Sequence, residues 1–86
     1  MYTIYGQPGC QYCERALEVA KGYGSYQYID ISESASAQFY IKETLGAKTV
    51  PQIFHDDKHI GGYEDLLDHI VDNWVMNQMF DKGDLF

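Results

Sequence analysis

An 86-residue chain that is 45% hydrophobic, with eight tyrosines, four phenylalanines and one tryptophan, suffices for one domain with one core. Its net charge of −7 leaves no basic stripe to neutralise phosphates, which excludes a nucleic-acid surface. It contains no apolar run long enough to span a bilayer, and neither a signal peptide nor a membrane anchor is expected.

Tyr2-Thr3-Ile4-Tyr5 reads as a first strand, stopped by the turn cluster Gly6-Gln7-Pro8-Gly9. A helix follows at Cys10-Gln11-Tyr12-Cys13, with Cys13, Ala16, Leu17 and Ala20 on its narrow apolar face and Gly22 and Gly24 as its stop. Cys10 and Cys13 are the only cysteines, and their spacing suggests thiol–disulfide chemistry. The unpaired N–H groups and dipole at a helix start favour an anion, so a thiolate at Cys10 is expected to form at lower pH than a free thiol. Cys13 lies one turn on, on the same side, so one cysteine can attack while the other resolves. A structural bridge over so short a loop would constrain little of the unfolded chain. Two cysteines used in this way point to a reducing compartment, the cytoplasm.

Tyr26 to Ile31 is rich in aromatic and β-branched residues and reads as a second strand. Ser32 to Ser36 is a turn offering several helix caps, none preferred by the sequence. A second helix places Ala37, Tyr40, Ile41, Thr44 and Leu45 on one face and stops at Gly46. Pro51 can open but not centrally occupy the third strand, Gln52 to His55. Asp56-Asp57 turns the chain into Lys58-His59-Ile60, and Gly61-Gly62 breaks that strand. A last helix carries Leu66, Leu67, Ile70, Val71, Trp74 and Val75 at amphipathic spacing. The order β-α-β-α-β-β-α fits a parallel βαβ half joined to a ββα half, in one domain over residues 1–86.

Further chemistry gathers around two short stretches. Thr49 reads either as a strand-entry residue or, beside Val50-Pro51, as a substrate-groove position, and Lys48 taken alone reads as a solvated loop lysine. The glycines allow close backbone approach, and the N–H groups of Tyr63 and Glu64 open a helix able to hold a carboxylate. Asp65 suits that helix's first turn by charge alone. The histidines 55, 59 and 69 read as ordinary strand-end and helix-surface residues. The gap between the cysteine pair and His55/His59 is far too long for a zinc finger, and no metal site is expected.

Three stretches, taken in order, resemble a dithiol glutaredoxin: Cys10-Gln11-Tyr12-Cys13, Thr49-Val50-Pro51-Gln52-Ile53-Phe54 and His59-Ile60-Gly61-Gly62-Tyr63-Glu64-Asp65-Leu66. The similarity spans residues 1–74 and leaves 75–86 as a C-terminal extension. It implies an α/β thioredoxin fold, a four-stranded mixed sheet flanked by three helices. It also implies a glutathione-disulfide oxidoreductase in which Cys10 is the nucleophile and Cys13 resolves. A cis bond before Pro51 would present the Val50 backbone to a peptide-like thiol as a short added strand. Glutathione's γ-glutamyl carboxylate would meet the N–H groups of Tyr63 and Glu64, with Asp65 accepting its ammonium. By the same resemblance Lys48 receives the glycyl carboxylate and Tyr12 flanks the tripeptide. Glutathionylated and disulfide-containing proteins are the implied substrates, ribonucleotide reductase among them by family analogy, for a protein acting as a monomer.

The chain departs from this pattern twice. Gln11 stands where similar enzymes often have proline, and Gln7 where they carry a cation three residues before the first cysteine. Relatives lacking that proline include carriers of a [2Fe–2S] cluster held by the first cysteine and glutathione, which is the alternative function. A thioredoxin-like reductase fed by a flavoprotein is a second alternative, opposed by Lys48, Gly61-Gly62 and Asp65.

Overall fold

The computed structural model describes residues 1–71. Strand β1 (Tyr2–Gly6) leads into α1 (Gln11–Lys21) and back through β2 (Tyr26–Asp30). A short 3-10 turn, Ile31–Glu33, precedes α2 (Ala35–Phe39), which widens into a π turn over Tyr40–Thr44. The hairpin β3 (Gln52–His55) and β4 (Lys58–Gly61) follows, and α3 starts at 63 and is still helical at 71, the last described residue.

The four strands form one mixed sheet in the order β2-β1-β3-β4. β1 pairs with β2 in parallel and with β3 antiparallel, and β3 with β4 antiparallel. One face of β1 and β3 supplies Tyr2, Ile4 and Ile53, which pack with Ala16 and Ala20 of α1 and Leu66 and Ile70 of α3. Helical spacing puts each helix's small or branched residues on that side. The opposite face is aromatic: Tyr5, Tyr40 and Phe54 meet with ring centroids 5.8 to 6.1 Å apart. The expected four-stranded α/β architecture with three helices is the one observed.

Element limits differ from expectation where side chains intervene. β1 runs on through Gly6, placed in the turn by its composition. β2 stops at Asp30, because the Asp30 carboxylate accepts the Ser32 N–H at 2.9 Å and turns the chain into the 3-10 segment. Among the serines, Ser34 is the cap of α2, its hydroxyl accepting from Ala37 N–H at 3.2 Å. β4 includes Gly61, which does not break it. Trp74, Val75 and the extension 75–86 lie outside the described residues.

Candidate active site

β1 ends at Gly6, and a turn containing Gly9 in the left-handed region (φ 77°) delivers Cys10 to the start of α1. Cys10 is the N-cap itself: its Sγ accepts the Cys13 N–H at 3.1 Å, as a serine or aspartate oxygen does elsewhere. A thiolate there would receive the same bond with charge assistance, next to the positive end of the helix dipole. Cys10 and Cys13 are joined as a disulfide, with Cα atoms 5.2 Å apart. Their environments are unequal. Cys10 is half-buried at the rim, whereas Cys13 is 0% exposed.

The loop before β3 faces Cys10. The Val50–Pro51 peptide is cis, and the Val50 carbonyl oxygen lies 3.8 Å from Cys10 Sγ. Buried Gln52 pins this loop from below, its amide donating to the Thr49 carbonyl at 2.9 Å. That assigns the Gln52 oxygen as acceptor, so His59 Nε2, 2.8 Å away, is the donor. His59 is therefore a support for the loop rather than an idle strand residue.

α3 starts at the same groove. Gly62 is its N-cap, its carbonyl accepting the Leu66 N–H at 3.0 Å. Asp65, three residues on, reaches back to accept the Gly62 N–H at 3.0 Å, half of a capping box. Gly61 has φ 124°, and a Cβ there would run into the Asp65 carboxylate. Gly62 is different: a Cβ would meet only the Pro51 oxygen, at 3.8 Å.

Between the two helix starts lies a groove of 320 Å³ lined by Tyr12, Thr49, Val50, Pro51, Gly62, Tyr63, Glu64 and Asp65. Eight of the nine residues expected to hold a substrate thus surround one space. Tyr12 and Tyr63 form its aromatic wall, with ring centroids 5.7 Å apart, and the Arg15 guanidinium sits 5.3 Å from the Tyr12 ring centre. Lys48 is the ninth. It lines an adjoining cavity of 610 Å³ with Gln7, Lys42, Thr49 and Val50, and Thr49 and Val50 line both spaces. Among the described residues, no three His, Cys, Asp or Glu side chains gather as a metal site, and no helix is long and apolar enough to cross a membrane.

The glutaredoxin family model matches residues 2–60, the stretch from β1 into β4. The chain belongs to the glutaredoxin family. It is 45% identical over 75 residues to glutaredoxin 1 of Salmonella typhimurium, covering 77% of this chain and 86% of that protein. With glutaredoxin 1 of Escherichia coli it shares 37% over 79 residues, 83% of this chain and 93% of the relative. The solution structure of the Brucella melitensis glutaredoxin superposes with a TM-score of 0.67 at 32% identity, covering 99% of this chain and 92% of that one. A buckwheat glutaredoxin–glutathione complex aligns at TM-score 0.72 and 24% identity, over 99% of this chain and 81% of that chain, a likeness of fold. Family membership and the Cys10–Cys13 pair make this protein a thiol–disulfide oxidoreductase.

Sequence reasoning missed three contributors. Gln52 and His59 brace the loop, and Gly6 admits the Tyr28 ring to the space beside Cys13. Only Gly6 carried a signal, as a glycine at a strand end next to a reactive motif.

Proposed function

We propose that this protein is a glutathione-dependent reductase of glutathione mixed disulfides and protein disulfides. The observation carrying this reading is the placement of Cys10, capping α1, beside a groove whose far wall is a second helix start. The Cys10 thiolate attacks the glutathionyl sulfur of a substrate; a Cys10–glutathione disulfide forms and the substrate thiol leaves. A second glutathione thiolate attacks the glutathione sulfur of that adduct, releasing oxidised glutathione and the Cys10 thiolate. For a protein disulfide, Cys13 displaces the substrate thiol from Cys10 and closes the Cys10–Cys13 bond, which two glutathiones then reopen. A low-pKa cysteine is also a good leaving group, which speeds its release.

The residues around the groove divide the tripeptide between them. Val50 offers its backbone as a strand edge to the cysteinyl unit. The first free N–H groups of α3, at Tyr63 and Glu64, receive the γ-glutamyl carboxylate, and the Asp65 oxygen not engaged by Gly62 accepts the ammonium. Tyr12 covers the sulfur from the open side, and Pro51 and Thr49 shape the floor. Lys48 serves the glycyl carboxylate from the adjoining cavity, reached across the Thr49-Val50 backbone. Protein substrates, acting in a reducing compartment, enter with the disulfide exposed to Cys10.

Glutathione-coupled reduction of a small glutathione mixed disulfide tests the reading, run on wild type, Cys13→Ser and Cys10→Ser. Turnover by the first two and loss by more than about a hundredfold in the third is the expected pattern. Loss of turnover in Cys13→Ser would mean that the dithiol route is obligatory and the one-cysteine mechanism wrong.

A further inference from the structure

Cys10 has a built-in partner for its negative charge, the Cys13 N–H. Cys13 has none. Its side chain is fully buried, and no hydrogen-bond donor among the described residues meets its sulfur. Yet every opening of the Cys10–Cys13 bond leaves an electron pair on Cys13, and a buried anion without a donor is costly. Among the described residues, the space beside Cys13 holds a candidate. Tyr28 on β2 points to the same side of the sheet as Gly6, which lies two positions up the parallel ladder from Ile4, the residue Tyr28 faces. Because Gly6 has no side chain, the Tyr28 hydroxyl occupies the place a Cβ would take, and that same Cβ would lie 3.0 Å from Cys13 Cβ. The hydroxyl bonds to no protein group among the described residues, so it is free to turn to the sulfur once the disulfide opens.

We propose that the Tyr28 hydroxyl is the hydrogen-bond donor that stabilises the Cys13 thiolate in the dithiol half of the cycle. The inference rests on the reading of Cys13 as the resolving thiol. In the reductive direction, a glutathione thiolate attacks Cys10 Sγ. A glutathione–Cys10 bond forms, the Cys10–Cys13 bond breaks, and its electron pair stays on Cys13, where the Tyr28 O–H meets it until a proton arrives from solvent. In the reverse direction the same contact holds the Cys13 thiolate while it attacks Cys10 and expels the substrate thiolate. Burial, reinforced by the Asp30 and Glu14 carboxylates, raises the Tyr28 phenol above its ordinary value, so the donor keeps its proton across the working range. Those two carboxylates, from β2 and α1, are also the charged groups that act on the hydroxyl. Tyr28 is a positioning residue: its effect on turnover passes through Cys13.

Tyr28→Phe removes the hydroxyl and keeps the ring packed against the core. In a Cys10→Ser background, thiolate absorbance against pH reports Cys13 alone. The expected result is a midpoint about half to one pH unit higher in the Tyr28→Phe variant than with tyrosine retained. In the dithiol protein, the ratio of protein-disulfide turnover to deglutathionylation falls about three- to tenfold. An unmoved Cys13 midpoint overturns the proposal, whatever the kinetics. Full protein-disulfide turnover in Cys13→Ser would instead sink the resolving role itself, leaving the titration to judge Tyr28 separately. Should Tyr28→Phe fail to fold, fluorotyrosine at position 28 keeps the shape and strengthens the donor, and the Cys13 midpoint must then move down.

Discussion

Two helix starts converge on one groove, and they are capped in opposite ways. α1 is capped by a sulfur: Cys10 takes the Cys13 N–H, so in the proposed reaction the capping atom is also the attacking atom. At α3 the cap is permanent, since Asp65 holds the Gly62 N–H and fixes the step from Gly61 at the end of β4 into the helix. The same backbone physics therefore serves reactivity at one end and shape at the other. On the proposed reading, the α1 start does chemistry because its cap is a nucleophile, and the α3 start binds because its remaining N–H groups stay open.

The largest expected effect breaks the fixed side. Gly61→Ala forces a side chain into a left-handed position and against the Asp65 carboxylate, and should cost about 2–3 kcal/mol. In a domain this size that is roughly 10–20 °C in Tm, read by thermal unfolding. Asp65→Asn keeps an oxygen for the Gly62 N–H and removes only the charge. Steady-state kinetics should show KM for glutathione raised about five- to tenfold with kcat nearly unchanged; an unchanged KM would reduce Asp65 to a cap. Gly62→Ala sharpens the contrast between adjacent glycines, because its Cβ has room and its destabilisation should stay under about 1 kcal/mol.

The smallest effect concerns the sheet beneath both helices. Burial, the main cause in each, raises the phenols of Tyr2, Tyr5 and Tyr28. A raised folded value means that the unfolded chain loses its phenolic protons first as pH climbs. This stabilising contribution is complete below the ordinary tyrosine value of about 10 and is lost as pH rises through the folded values. Thermal unfolding followed into the alkaline range should show that decline, and Tyr28→Phe should blunt it.

Much of this was legible in the sequence because local signals and distant motifs agreed. Cys10 before an amphipathic run, Pro51 before a β-rich stretch and Gly61-Gly62 before a second amphipathic run each mark an element start, and all three starts meet at the site. What stayed hidden depends on side chains meeting across the sheet. Ser34 caps α2 through its hydroxyl, which accepts the Ala37 N–H, a choice that a run of alternating serines does not reveal. The π turn at Tyr40–Thr44 has no sequence signature of its own. His55 and His69, ordinary surface residues by sequence, face each other at 3.1 Å, with the Tyr2 ring stacked on His55 at 4.4 Å. Fourteen residues separate that pair, and only the packing of α3 on β3 brings it together. Lys48 adjoins Thr49 in sequence, yet it lines the adjoining cavity and not the groove.

The convergence of the two helix starts on one bound tripeptide is open to a direct measurement. Cys13→Ser, loaded with glutathione on its remaining cysteine, can be compared with the reduced protein by amide NMR. The predicted result is a set of shifts at Val50, Tyr63 and Glu64 alongside those at the start of α1. Shifts confined to α1, with the start of α3 silent, would contradict it and leave Cys10 a reactive cap with no glutathione site across the groove.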